Sequence, residues 1–381
     1  MNRRGLAMVA VAVLLAAGSA LPAHAAPPPA AAFGLSHRVC GAVPVGFARC
    51  DADVVDQGKG APNATTPAGL APATIKSVYG FSTSATAGAG KTIAIVDAYD
   101  DPTAESDLGV FSSTFGLPAC TTANGCFHKV NQSGGTRLPR ANSGWALEIS
   151  LDVQWAHAIA PGAKVLLVEA SSNSFTNLMA AEDYARTHAQ YVSNSWGASE
   201  FSGESAYDWH FTQSGVSVFV SAGDSGLPAE YPSASPNVIS VGGTTLHFDS
   251  SGAFTSETGW ASGGGGCSTY ETATAAQNGF AGYGQVNCAG RRATPDVALD
   301  ADPASGVAVY DTTSYQGQAG WFTVGGTSAS APMWAARSAV AGATVSSAYV
   351  YGSNLAFRDV TVGNNGAPCL VGYDLCSGRG T

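Results

Sequence analysis

Between residues 92 and 223 the chain alternates short apolar runs with stretches of helical pattern. In order these are TIAIVDA (92–98), a helix opened by Asp101-Pro102, KVLLVEA (164–170), a helix over 177–188, QYVSNSW (190–196) and VSVFVSAG (216–223). Strands that are apolar end to end must be covered on both faces, which is the condition of a parallel sheet. Strands spaced by helices wind that sheet with helices on each side. The expectation is α/β, a doubly wound, mostly parallel sheet with helices on both faces. Beyond Pro232 the pattern loosens into shorter strands, a glycine tract at 263–266 and the hairpin-like runs GVAVYD (306–311) and GWFTVG (320–325). There is no internal repeat.

The start of the chain carries Arg3 and Arg4, an apolar run and the small-residue stop Ala23-His24-Ala25, the pattern of a secretory signal peptide over 1–25. Residues 26–68, rich in Pro, Ala and Gly with little periodicity, read as a leader or loosely packed arm, and the globular domain as 69–381. No later run approaches the ~18 unbroken apolar residues of a membrane span. An exported, extracellular protein is expected. Its eight cysteines fall in near couples, Cys40 with Cys50, Cys120 with Cys126, Cys267 with Cys288 and Cys369 with Cys376. An even count in an exported chain favours disulfides, and nearest-neighbour pairing is the simplest connectivity. No couple has a zinc-knuckle spacing. The formal net charge of -10 becomes about -12 once Arg3 and Arg4 are removed, which disfavours nucleic acid and anionic membrane as partners.

The stretch GGTSASAPMW (325–334) delivers Ser328 to the start of a small-residue helix, where its hydroxyl would stand near N–H groups of partial positive charge. A serine hydroxyl needs a base to become a nucleophile. A second helix, 143–162, ends at Pro161-Gly162 and carries Ser150, Gln154 and His157 on one face. That face is expected to be solvated, with His157 structural. Glu148 and Asp152 stand one turn apart on the opposite side, among Trp145, Trp155 and Ile159. Two adjacent carboxylates are costly to bury unless they are hydrogen-bonded or share a proton. The structural alternative is a wet groove or a bridge to Arg or Lys. The functional one makes Glu148 the base for Ser328, with Asp152 orienting it.

With these residues in hand, the chain resembles the sedolisin family of serine-carboxyl peptidases over about 69–381. The resemblance implies a subtilisin-like fold, a Glu and an Asp four apart on a helix serving a Ser in a GTSAS-type motif, and a further Asp in a SAGDSG-type turn donating to the oxyanion. These fall at Glu148, Asp152, Ser328 and Asp224. SNSWG (193–197) is similar to the family strand that pairs with bound peptide, pointing to Ser195, Trp196 and Gly197. ETGWASGGGG (257–266) is similar to its glycine-rich substrate loop, pointing to Gly264 and Gly265. PDVALDADP (295–303) matches a stretch in which Asp296, Asp300 and Asp302 are expected to be scaffold.

The resemblance also implies one structural calcium, with Asp359, Val360, Gly378 and Gly380 as ligands. The final Asp of the pattern would follow Gly380, where the sequence stops at Thr381, so a truncated record is favoured and Asp374 is the alternative. A short leader stands where the family often carries a long folded propeptide. The implied chemistry is hydrolysis of peptides or proteins at acidic pH by a monomer. Three rivals remain: a subtilisin-like protease using Asp97 and a histidine, whose motif is absent; an inactive exported homologue acting as a binding protein; and a glycosidase, which would need its carboxylates across a substrate from each other.

Overall fold

A computed structural model of the chain describes Met1 and residues 35–56, 65–352 and 355–381. Apart from Met1, the signal peptide read over 1–25 lies outside the described residues. Among the described residues no helix is long and apolar enough to cross a membrane.

The N-terminal half contributes β1 (Ser36–Arg38), β2 (Arg49–Cys50), β3 (Asp53–Val55), α1 (Pro72–Tyr79), β4 (Thr92–Ala98), α2 (Ala104–Phe115), β5 (Phe127–Asn131), α3 (Ser143–Ile159), β6 (Lys164–Ala170) and α4 (Phe175–His188). Then follow β7 (Tyr191–Asn194), β8 (Trp196–Ser199), β9 (Ser217–Ser221), β10 (Glu230–Tyr231), β11 (Ile239–Phe248), β12 (Phe254–Gly259) and β13 (Gly266–Thr272). The chain finishes with α5 (Ala275–Asn278), β14 (Arg291–Thr294), β15 (Val297–Asp300), β16 (Val307–Tyr315), β17 (Gln318–Gly325), α6 (Thr327–Ala341) and α7 (Ser347–Gly352).

The central sheet runs β12-β11-β9-β7-β4-β6-β5, with β15 also beside β11. Every pairing in it is parallel except β11 with β12. The expected architecture is therefore present, and the apolar strands are its middle: Ile93 to Val96, Leu167, Val168, Val192, Phe219 and Val220 are solvent-free. The strand order turns back on itself at β4, which lies between β6 and β7. In such sheets the crevice beyond the carboxyl ends at a turning point is where ligands are held. The carboxyl ends of β4, β7 and β9 bring Asp97, Ser195 and Asp224 there.

Helix α3 is buried along its length from Trp145 to Ile159. The face expected to be solvated is covered by neighbours far away in sequence. Ser150 Oγ donates to Asp101 Oδ2 (3.1 Å), Gln154 Nε2 donates to the Tyr310 carbonyl (2.6 Å) and Tyr310 N donates back to Gln154 Oε1 (2.9 Å). His157 Nε2 lies 2.9 Å from the Pro118 carbonyl. Burial lowers the pKa of His157, so the ring is neutral and donates that proton. That face of the helix is thus enclosed by α2, the loops before and after it and β16, and Ser150, Gln154 and His157 each meet a partner.

A second correction concerns the arm. Residues 35–56 are packed into the domain instead of standing off it. β3 pairs antiparallel with β17 and with β1, completing the sheet β1-β3-β17-β16, and β2 pairs antiparallel with β8. Backbone pairing with an exposed strand edge needs no side-chain period, so composition alone hides it. The four disulfides join the near couples, Cys40–Cys50, Cys120–Cys126, Cys267–Cys288 and Cys369–Cys376.

Candidate active site

Helix α6 presents Ser328 at its first turn because Gly326 takes φ +98 as the N-cap, a backbone state that suits glycine. A Cβ there would lie 2.2 Å from the Asp51 carbonyl oxygen and 2.7 Å from Asp224 Oδ2. Four residues beyond Ser328, Pro332 sits inside the helix without an N–H, so the Ser328 carbonyl has no helical donor. Ser195 Oγ takes that place, donating at 3.5 Å, while Ser328 Oγ donates to the Ser195 carbonyl at 3.3 Å. The serine is tied to the end of β7 in both directions.

Glu148 and Asp152 reach the same place from α3. All four of their carboxyl oxygens are buried and lack a well-formed hydrogen bond to protein. Burial raises both pKa values far above the ordinary carboxylate range. For Glu148 the charges of Asp152 and Asp97 add to this, and the Ser328 hydroxyl beside it opposes. For Asp152 the charge of Asp97 adds, and the neighbouring Ser195 hydroxyl and Glu148 carboxyl oppose. Asp97, at the carboxyl end of β4, is pushed up to about 8 by burial. Three carboxyls in one solvent-free recess cannot all ionise, so protons stay among them. No arginine or lysine joins the triplet as an ion pair. The bridged arrangement weighed from sequence is therefore absent among the described residues. The part of Asp97 was missed; its signal was a lone acid closing an apolar strand.

Asp224 follows β9 in the SAGDSG turn (221–226). Its Oδ1 accepts from Thr327 N and Thr327 Oγ1, both at 2.8 Å, while Oδ2 is buried and has no partner. Burial raises the Asp224 pKa well above its usual value, the charges of Asp51 and Asp53 adding to the rise, and the Thr327 N–H and Arg38 oppose it. A buried carboxyl of raised pKa carries a proton, and with Oδ1 occupied as acceptor the proton belongs on Oδ2.

Ser195, Trp196 and Gly197 line the cleft as a strand edge. Cys50 and Arg49 pair with Trp196 and Gly197, and Asp51 N donates to the Ser195 carbonyl (3.1 Å). Trp196 itself points inward, its Nε1 donating to the Val96 carbonyl (2.9 Å). Gly264 and Gly265 serve packing. Gly264 N donates to the Gly223 carbonyl (2.6 Å), and a Cβ on Gly264 would fall 2.0 Å from the Ala222 carbonyl oxygen. A Cβ on Gly265 would fall 2.1 Å from the Leu375 carbonyl oxygen. The tract supports the turn that carries Asp224, and its glycines are there for close backbone approach. Asp296 is scaffold in geometry, holding Arg292 at 2.8 and 2.5 Å and accepting from Tyr351 (2.5 Å).

At the C-terminal loop, Asp359 Oδ2 accepts from Gly372 N (2.8 Å), and the carbonyls of Gly378 and Gly380 accept from Asp374 N (3.1 Å) and Ala298 N (3.0 Å). The Val360 carbonyl faces Ser377 Oγ (3.5 Å). Asp374 is occupied by the N–H groups of Leu370, Cys376 and Ser377. One carboxylate and three carbonyls, all already hydrogen-bonded, fall short of the six to eight oxygens of a calcium ion. The residues present do not by themselves fit the ion.

The family described as the subtilase family matches residues 140–365. Kumamolisin from Bacillus sp. (strain MN-32) is 30% identical over 347 residues, 77% of this chain and 58% of its own length. Sedolisin from Pseudomonas sp. (strain 101) is 28% identical over 368 residues, 83% of this chain and 59% of its own length. The chain thus spans about three-fifths of these curated relatives. The solved structure of Pseudomonas sedolisin, a serine-carboxyl proteinase complexed with two molecules of pseudo-iodotyrostatin, superposes with a TM-score of 0.68 at 27% identity, covering 83% of this chain and 96% of that one. With a subtilase match over more than half its length and sedolisin as a neighbour in both sequence and fold, the chain belongs to the subtilase family, in its sedolisin group.

Proposed function

We propose that the chain is an exported serine-carboxyl endopeptidase that cuts peptide or protein substrates at acidic pH. The observation that carries this is the pair Glu148 and Asp152: two unbridged carboxyls in a dry recess beside the Ser328 hydroxyl, where a histidine protease would hold an imidazole. His157, the histidine on the same helix, is spent on the Pro118 carbonyl.

In this proposal the Glu148–Asp152 pair shares a proton and retains one negative charge, so Glu148 can accept the Ser328 proton as Oγ attacks the scissile carbonyl. Glu148 then returns it to the leaving amine. Ser328 N–H and the protonated Asp224 Oδ2 receive the developing oxyanion. The carboxylic acid donor sets the upper limit, because raising the pH strips Asp224 of the proton it donates, while a carboxyl base stays ionised at acidities where an imidazole is fully protonated. Ser195 and Gly197 hold the substrate backbone as an added strand. The proposal is tested by digesting a peptide library from pH 2 to 8 with the chain and with Ser328→Ala. Cleavage below pH 5 by the first and none by the second is expected. A neutral optimum, or equal activity of both, overturns it.

A further inference from the structure

Behind the strand edge at 195–197 stands a second group of acids that the chemistry above does not use. Glu200 follows β8 directly, Glu204 and Asp208 lie on the 3-10 helix Glu204–Phe211, and Glu271 is on β13. Glu204 is solvent-free and Glu271 is 5% exposed. Ser268 Oγ donates to Glu200 Oε1 and accepts from Glu271 N (2.7 Å), while Thr269 N donates to Glu200 Oε2 (2.8 Å), so β13 rests on the Glu200 carboxyl. Phe201 N donates to Glu204 Oε2 (2.7 Å), and Tyr231 OH donates to Asp208 Oδ1 (3.0 Å).

Two oxygens are left over. Glu204 Oε1 and Glu271 Oε1 are buried and receive no donor. Glu204 meets the Glu200 carboxyl and Glu271 meets that of Asp208, acceptor against acceptor. Among the described residues none of the four acids is in an ion pair. Arg291 of β14 bears on Glu271, but its Nη1 is donated to the Tyr270 carbonyl (3.0 Å). His210, on the same 3-10 helix, turns to Asp183 of α4 (3.0 Å). Two touching carboxyls with no cation between them are joined by a proton they share.

We propose that Glu200, Glu204, Asp208 and Glu271 form a proton-held latch, which in acid clamps the 3-10 helix 204–211 to β13 and steadies the substrate strand β8, and which opens as acidity falls. The pairs then ionise, repel and let the helix lift. Burial pushes Glu204 up to about 9, Glu200 and Glu271 adding to the rise and the Phe201 N–H opposing it. Burial likewise pushes Glu271 up to about 7, with Asp208 and Glu200 adding and Arg291 opposing. An unfolded glutamate ionises near pH 4.5, so the latch is whole below that pH and is lost as pH rises through about 7 and then 9. Its tie to β8 is short. Ser199 and Ala198 pair with Glu230 and Tyr231 of β10, and Tyr231 holds Asp208. This tie rests on the peptidase function above, whereas the latch itself does not. Asp224 then governs turnover, and the latch governs how firmly the peptide is held.

The test measures hydrogen exchange in full-length Ser328→Ala, and KM for a fluorogenic peptide in the chain that keeps Ser328. Each is done with and without Glu204→Gln/Glu271→Gln, whose amides keep a donor in both pairs at every pH. From pH 4.5 to 7.5, protection of 204–211 and 266–272, corrected for intrinsic exchange, should fall at least about tenfold in the parent and less than about twofold in the double variant, with β4 unchanged in both. From pH 4 to 6, KM should rise at least about threefold in the parent and stay within about twofold in the double variant, while kcat follows one course in both. Glu271→Gln alone, at the less buried acid, should remove at least half of the fall in log protection, which decides the matter if the double variant does not fold. Equal protection at both pH values in the parent, or the same fall in parent and variant, overturns the latch. A fall in protection with KM unmoved overturns its tie to the substrate strand. Failure of every form to hydrolyse the peptide overturns the peptidase function, and exchange then judges the latch by itself.

Discussion

Asp224 offers the sharpest separation of donor from acceptor. Its Oδ1 is pinned by the N–H and hydroxyl of Thr327, so an asparagine at this position has one way to sit. The amide oxygen takes the Thr327 donors and the NH₂ replaces Oδ2, facing the oxyanion. Asp224→Asn should therefore keep turnover within about tenfold of wild type at low pH. Asp224→Ala removes the donor, which typically costs ~10²–10³ in turnover, about 3–4 kcal/mol. It also leaves the buried Thr327 N–H without its acceptor, so it should unfold about 1–3 kcal/mol more easily. The pH dependence carries more information than the rate. Wild type loses its donor as Asp224 ionises, so activity falls as pH rises through the raised pKa; the amide has no proton to lose, so the alkaline limb of the Asn variant should move upward until Glu148 and Asp152 limit it. The assay is a pH–rate profile of the three proteins on one peptide, with melting curves alongside. Equal rates for Asn and Ala at every pH would show that Asp224 does not donate.

Glu182, buried on α4, is raised by burial from 4.5 to about 8. The unfolded chain ionises it from about pH 4.5 while the folded chain keeps it neutral, so its favourable share is whole below that pH and is lost as pH rises toward 8. Glu182→Gln, placed in Ser328→Ala to prevent digestion, should gain about 3 kcal/mol relative to its parent between pH 4 and 7 in denaturant unfolding, and a pH-independent difference would refute this. His157→Ala should cost about 1–3 kcal/mol through the unpaired Pro118 carbonyl yet leave the pH–rate profile unmoved; a displaced profile would restore the histidine-base alternative. Gly326→Ala places a methyl 2.2 Å from the Asp51 carbonyl oxygen, beside Asp224 Oδ2 and the start of α6, and should lower peptide hydrolysis by about 10² or more with a modest loss in melting temperature; undiminished hydrolysis would mean the oxyanion is held elsewhere.

The central sheet was legible because strands such as 92–98 and 164–170 are buried on both faces, which writes their apolarity into every position. Glu148 and Asp152 were legible for the opposite reason, as acids on the apolar side of a helix. What covers α3 was not. Ser150, Gln154 and His157 look like a wet face until Asp101, Tyr310 and Pro118 arrive from distant parts of the chain. The segment 35–56 was hidden more deeply, since its disulfide closes within the segment and its strands join the domain by main-chain pairing, which asks almost nothing of composition. Asp97 fell between these cases, a strand-end acid whose company was set by how β4 meets α3.

Glu148, Asp152, Asp224 and Ser328 are shut off from solvent while the segment lies across them, with exposures of 0 to 3%. Protons therefore reach these groups only when the segment lifts or the surrounding chain breathes. After a rapid step in acidity, the carboxyls should lag the bulk by the lifetime of the closed cleft, microseconds to seconds for motions of this size, where an open site would follow at once. The lining carboxyls then act as a delayed gauge, registering the pH the protein has lived in and not the pH it has just met.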